Sequence, residues 1–388
     1  MDRFDCEELF KLIDGMKSEY ITFWREFCDV ESPTADKAAV DTAGNYVVEK
    51  AKVHGWRIER FEHPVSGDVV VITMNPEANA EPIIFSGHLD TVHPKGLFGY
   101  PPTRVEGDRI YGPGVTDCKG GIVAAFLAMD ALEKRGFTAR PVVLMLQSDE
   151  EGGSRGSGKA TINYMCRRAQ GAIAFLNLEG GTPGDACIVR KGIVTFKFTV
   201  TGQEAHSSRC AKEGANAICD AAHKIIELEK LKDDAGLTCN CGVISGGSVP
   251  NTVAGRCEFY ANVRFVNAEQ LEWVKDYVRK LAATVHVKGC TCEVEIYGSR
   301  LAMEYVERNQ KLLDEMNGIF GQCGLSTLVG KKCNGGSDAA EITSAGVPCI
   351  DNLGVHGGFI HSVNEYAEIP SLLESAKRMA VVAMSIAG

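Results

Sequence analysis

Several stretches of the 388-residue chain end a run of apolar residues on side chains that ionise. In IIFSGHLDTVHP (83–94), His88 and Asp90 lie two apart, so in extended chain they face the same side and can act on one object. GPGVTDCKGG (112–121) places Asp117 just before a long apolar helix, where it is either a ligand or an ordinary N-cap. LMLQSDEEGGSRGSGK (144–159) sets Asp149, Glu150 and Glu151 side by side after a buried strand. Unless that loop is simply solvated, three adjacent acids need a cation or a proton among them. Glu179 follows another strand in FLNLEGG (175–181), and GVHGGFIHSVNEY (354–366) brings His356 and His361 late in the chain. Imidazole with carboxylate donors suits zinc and related divalent ions, whereas an all-oxygen set would suit magnesium or calcium. Two ions about 3.5–4 Å apart, bridged by a carboxylate and a water, would account for so many acids in one place.

Such residues need a frame that gathers strand ends. The first 190 residues alternate patterns: helix at 5–28, strands at 69–75 and 82–87, helix at 120–135, strand at 141–147, helix at 159–168 and a strand-like run at 172–178. That alternation predicts an α/β unit with a largely parallel sheet and helices on both faces. Sites in such sheets form outside the carboxyl ends of the strands, where the ionisable residues fall. From 190 the texture changes to strand 193–202, helix 214–231, strands 238–245 and 255–265, helix 268–285 and strand 287–297. The order β-α-β-β-α-β is ferredoxin-like. Helices at 309–323 and 371–387 return to the first texture. The expectation is a discontinuous catalytic domain, 1–189 and 299–388, with an inserted α+β domain at 190–298.

Bulk properties narrow the function. A net charge of −10 and a pI near 5.5 argue against a nucleic-acid partner, which needs a basic surface. No apolar run reaches membrane-span length, and MDRFDCEELFKLIDGM mixes acids into an amphipathic helix without signal-peptide regions, so a cytoplasmic protein is expected. Fifteen scattered cysteines form no zinc frame and are expected to be free thiols; Cys239/Cys241 and Cys290/Cys292 each share a strand face. Residues 153–159 read G-x-x-x-x-G-K, yet Ala160 stands where a phosphate loop needs Ser or Thr, and the preceding acids would repel phosphate.

GHLDTV, YGPGVTDCKGG, SDEEGGSRGS, NLEGG, GQEAHSS, GGSDAAE and HSVNEY, in this order, resemble the co-catalytic zinc hydrolases. That family includes bacterial glutamate carboxypeptidase, acetylornithine deacetylase, succinyl-diaminopimelate desuccinylase and aminoacylase. The likeness runs almost end to end. It implies that His88, Asp117 and Glu179 hold one zinc, and that the bridging Asp117, Glu151 and His361 hold the other; cobalt and manganese are alternative ions. His361 is preferred over His356 because Asn364 and Glu365 follow it as in the family. Glu150 is implied as general base and Asp90 as the carboxylate that orients His88. Glu at 179, rather than Asp, favours carboxypeptidases and deacylases over aminopeptidases.

In the inserted domain, which the resemblance makes a lid, His206 matches a histidine that in dimeric relatives reaches the partner's active site. A homodimer through that domain is therefore expected. Asn251 matches a lid asparagine, and Arg300 an arginine that grips the substrate carboxylate; a surface arginine is its alternative. The 335–338 stretch, with Gly336, is assigned to the pocket lining, and Asp338 has a helix cap as its alternative. Cys118 departs from the pattern, since a thiol beside the bridging position can oxidise or misligate. The expected substrate is a small peptide or an N-acyl amino acid, cleaved at an amide next to a free α-carboxylate. Deacylation is the rival to carboxypeptidase action, and a non-catalytic binding relative is the more distant one.

Overall fold

Strands Val69–Met74, Ile83–His88, Val142–Gln147 and Ala174–Asn177 are buried at every position, so elements cover both faces of the sheet they form. In the computed structural model, which describes residues 3–387, that sheet has six strands. Its order is Arg57–Phe61, Val69–Met74, Val142–Gln147, Ile83–His88, Ala174–Asn177 and Cys349–Ile350. The first two pairings are antiparallel and the remaining three parallel. The sheet is thus mixed: the expected parallel half exists, and an antiparallel edge adjoins it.

Helix Lys119–Lys134 is buried over nearly its whole length and packs with helix Ile369–Ser385 and strand Ile83–His88. Where one helix was expected at 5–28, the chain forms Arg3–Gly15 and Lys17–Asp29. The break falls after Gly15, a poor helix former. Helix Lys37–Val53, opened by Asp36 accepting from the Ala39 N–H at 3.1 Å, was not foreseen. Cys6 and Cys323 form a disulfide, correcting the expectation that every cysteine is a free thiol. No helix among the described residues is long and apolar enough to cross a membrane.

The chain divides into two compact units, the second comprising Arg190–Glu304 and Cys333–Gly336. Its sheet is antiparallel, in the order Thr238–Gly246, Arg256–Phe265, Gly192–Thr201, Thr291–Arg300. Burial alternates along Gly192–Thr201, so one face builds a core of Val194, Phe196, Phe198, Phe259 and Val263. Helices Ala217–Glu229 and Ala268–Ala283 pack on this sheet.

Candidate metal centre

Three parallel strands end together. His88 is in register with Gln147 and Ser86 with Asn177. The chain leaving each strand therefore delivers His88 with Asp90, Glu150 with Glu151, and Glu179 to one edge. The loop before helix Lys119–Lys134 adds Asp117, at a helix start where the dipole favours a carboxylate. That start sits tight on the chain leading to Glu179: a Cβ at Gly121 would fall inside the Leu178 carbonyl oxygen. A last loop adds His361, held at φ 65, a left-handed conformation that costs a non-glycine residue.

The side chains converge on Asp117. Its Oδ1 is 3.0 Å from His88 Nε2 and its Oδ2 3.1 Å from His361 Nε2. Glu179 Oε2 lies 3.8 Å from His88 Nε2, and Glu151 Oε2 3.2 Å from His361 Nε2. One carboxylate thus turns an oxygen toward each of two pairs, His88 with Glu179 and His361 with Glu151. His356 lies elsewhere, beside Gly181, with its main-chain N–H on Ser371 Oγ at 2.9 Å.

Asp90 meets His88 through both its main chain and its side chain. The nearer acceptor for His88 Nδ1 is the Asp90 main-chain carbonyl at 2.8 Å, with the carboxylate at 3.4 Å. Either contact favours a proton on Nδ1, so Nε2 is the nitrogen turned to Asp117. The Asp90 carboxylate chiefly holds the acidic loop, accepting from the N–H groups of Glu150 (3.2 Å) and Glu151 (3.1 Å) and from Thr34 Oγ1 (2.8 Å). Glu150 itself is buried beside it. Asp149, the third acid of the run, turns inward to Thr161 Oγ1 (2.6 Å) and the Ser157 N–H (2.9 Å).

Charge explains the titration of these groups. Burial, then the Asp117 charge, push Glu179 up to about 7, and the same causes raise Glu151. Hydrogen bonds to Asp117 and Glu151 lift His361 to about 10. His88 stays well above its ordinary value although burial opposes it, because Cys118, Asp117 and Asp90 surround it. Asp117 is likewise held far below the carboxylate range, against its burial, by His361 and His88. Three carboxylates and two imidazoles so placed need cations or protons, and the mixed oxygen and nitrogen donors fit divalent cations.

Two neighbours were given no positioning role by the sequence. Cys118, pushed up to about 12 by burial, accepts the His88 N–H at 2.9 Å, and its sulfur falls within ligand reach of His88 and Glu179. Glu365, noted only as a pattern marker, is fully buried against the Asp117 loop. Its only sequence signal is an acid four residues after His361.

A second grouping, His54, Asp130 and Glu133, sits elsewhere on the first unit. The phosphate-loop decoy is spent on structure, with Lys159 paired to Glu341 at 3.1 Å and Ala160 opening a helix. The remaining sequence candidates belong to the second unit. His206 is exposed, its Nδ1 2.9 Å from Ser208 Oγ, and the Asn251 carbonyl accepts the Ser207 N–H at 2.9 Å. Arg300 is buried at a strand end, correcting the alternative of a surface arginine, and Gly336 leaves room for its side chain.

The family described as peptidase family M20/M25/M40 matches residues 84–385. Carboxypeptidase G2 of Pseudomonas sp. (strain RS-16) is 27% identical over 371 residues, spanning 94% of this chain and 88% of that one. Succinyl-diaminopimelate desuccinylase of Rickettsia canadensis is 26% identical over 379 residues, spanning 91% and 95%. The crystal structure of aminopeptidase PepT from Bacillus cereus covers 94% of this chain and 97% of its own, with a TM-score of 0.76 at 20% identity, a likeness of fold. With a family match over most of its length and donors that fit divalent cations, the chain belongs to peptidase family M20/M25/M40, as a metal-dependent hydrolase of amide bonds.

Proposed function

We propose that the protein is a di-zinc carboxypeptidase-type hydrolase that cleaves an amide next to a free α-carboxylate. The observation that carries this reading is Asp117, with one oxygen 3.0 Å from His88 and the other 3.1 Å from His361. His88, Asp117 and Glu179 would hold one ion, and Asp117, Glu151 and His361 the other. When bound, the ions polarise the scissile carbonyl and lower the pKa of an attacking water toward about 7. The chain's own residues do the rest. Glu150 takes the proton from the attacking water and returns it to the leaving nitrogen, held at its post by the Asp90 carboxylate on its main-chain N–H (3.2 Å). Asp90 also fixes the His88 tautomer, keeping Nε2 as the donor. His206, Asn251, Arg300 and Gly336 are kept as substrate-binding residues on the sequence resemblance, with the second unit as a lid and dimerisation domain.

N-acyl-amino-acid deacylation is the second reading, favoured by the likeness to a desuccinylase as well as to a carboxypeptidase. Both reactions release an amino acid with a free α-carboxylate. Metal-stripped protein, with and without restored zinc, tested on dipeptides and N-acyl amino acids separates them. Zinc-dependent release from dipeptides supports the peptidase, release from acyl amino acids alone the deacylase. Protein that binds no metal sinks both.

A further inference from the structure

Glu365 carries no substrate or metal in the reading above, yet it is fully buried and accepts four hydrogen bonds. Oε1 takes the main-chain N–H groups of Thr116 (2.9 Å) and Asp117 (3.1 Å). Oε2 takes Gly114 N–H (3.3 Å) and His93 Nε2 (2.8 Å). His93 is itself only 4% exposed and belongs to the segment that begins at His88. One carboxylate therefore joins the three segments that supply His88, Asp117 and His361. Beside it Tyr366 pairs with Tyr111 across two short strands, and the Gly112 N–H donates to the Glu365 carbonyl at 3.3 Å. The side chain thus extends a main-chain link between the Asp117 and His361 loops and adds the His88 segment to it.

We propose that Glu365, with His93, is a positioning residue that sets the spacing of Asp117 between the two imidazoles, and so sets metal affinity. A buried carboxylate suits the task because main-chain N–H groups point at it from one side and an imidazole from another. It can satisfy all of them, where an amide would turn N–H against N–H. The same anchor restrains the loop in which Phe359 and His361 hold positive φ values of 54 and 65. A loop so strained needs a fixed end to persist.

The inference rests on the proposed metal site and is tested without relying on turnover. Zinc affinity is measured by competition with a chromophoric chelator for wild type, Glu365→Gln, Glu365→Asp and His93→Ala, beside the melting temperature of each metal-free protein. Glu365→Gln is expected to weaken zinc binding by about 10- to 100-fold, and His93→Ala by about tenfold, the range typical for groups that orient ligands. Glu365→Asp, which keeps the charge, should fall between wild type and Glu365→Gln. In the active enzyme kcat should drop while KM changes little. A lower melting temperature with wild-type zinc affinity would mean a merely structural role and overturns the inference. If Glu365→Gln fails to fold, His93→Ala decides by the same criterion. Wild type that holds no zinc sinks the functional reading together with this one; zinc-binding wild type with unaltered variants sinks this one alone.

Discussion

Two places in the first unit gather a histidine and two acids whose ligand atoms lie within 4.8 Å of one another: His88 with Asp117 and Glu151, and His54 with Asp130 and Glu133. Their surroundings differ. In the second, Lys134 sits 2.5 Å from Asp130 Oδ1, the Tyr20 hydroxyl donates to Oδ2 at 3.0 Å, and Trp56 Nε1 donates to Glu133 Oε1 at 3.2 Å. His54 stacks on Trp56 and reaches Glu133 at 2.6 Å. Each acid already has its donor and the set has its own cation. At Asp117 the donors facing the carboxylate oxygens are the imidazoles, and the flanking groups are more acids. Composition therefore does not separate the two sets; the Glu133 set is neutralised by a fixed ammonium, whereas the Asp117 set is neutralised by imidazoles whose protons a divalent cation can replace.

The contrast can be broken most severely at Asp117. Asp117→Asn should lose metal and turnover to background, whereas Glu133→Gln should keep both, as read by elemental analysis and dipeptide or acyl-amino-acid hydrolysis. Metal retained in Asp117→Asn would end the bridging assignment. Next in size, Glu150→Ala should lower kcat by about 10²–10⁴ with metal content unchanged, because it removes the proton carrier and no ligand. Activity near wild type in that variant would return the role to another group.

A smaller effect is expected from pH. Glu179 and His361 are raised, to about 7 and about 10, above the ordinary 4.5 and 6.5. The metal-free folded protein thus holds protons that the unfolded chain releases, so this contribution to stability is full below about pH 4.5. It is lost as pH rises, through about 7 for Glu179 and about 10 for His361. Zinc must displace the same protons, so its affinity should climb over that window. Melting curves of metal-free protein and chelator competition at several pH values check both signs; zinc affinity that falls from pH 6 to 8 would contradict them. Smallest of all, Lys134→Met should cost about 1–3 kcal/mol, since Lys134 is half exposed but its partner Asp130 is buried and keeps only the Tyr20 hydroxyl. In an Asp117→Asn background it should let zinc raise the melting temperature through His54, Asp130 and Glu133. No such rise would show that a missing cation is not enough to make a site.

Much of the fold was legible because its periodicities are strong. The 142–146 and 83–85 runs are wholly apolar, as doubly covered strands tend to be, and 192–201 alternates as a one-sided strand must. Helix Lys37–Val53 escaped notice since Gly44, Val47 and Val48 lower its helical signal, while burial of Val40, Ala43 and Val47 stabilises it. The antiparallel edge strand Arg57–Phe61 is short and only part-buried, so its pattern was weak. The Cys6–Cys323 pair spans 317 residues, a separation over which spacing carries no information.

For the site, residue types and order put forward His88, Asp90, Asp117, Asp149, Glu150, Glu151, Glu179, His356 and His361, since ionisable groups at the ends of buried runs are costly unless they act together, and the family resemblance narrowed the set. What the residue pattern by itself could not state, and the resemblance supplied as an expectation, is which acid does which job. Asp149, Glu150 and Glu151 are neighbours in sequence, yet one turns to Thr161, one is held by Asp90 at its main chain, and one reaches His361. Asp90 reads as a partner of His88 and Glu365 as a pattern marker, and folding adds main-chain N–H groups to both from distant segments. Hydrogen-bond partners of that kind are fixed by three-dimensional approach, which sequence spacing does not encode; the strand ends that bear the ligands are fixed by local patterns, which it does.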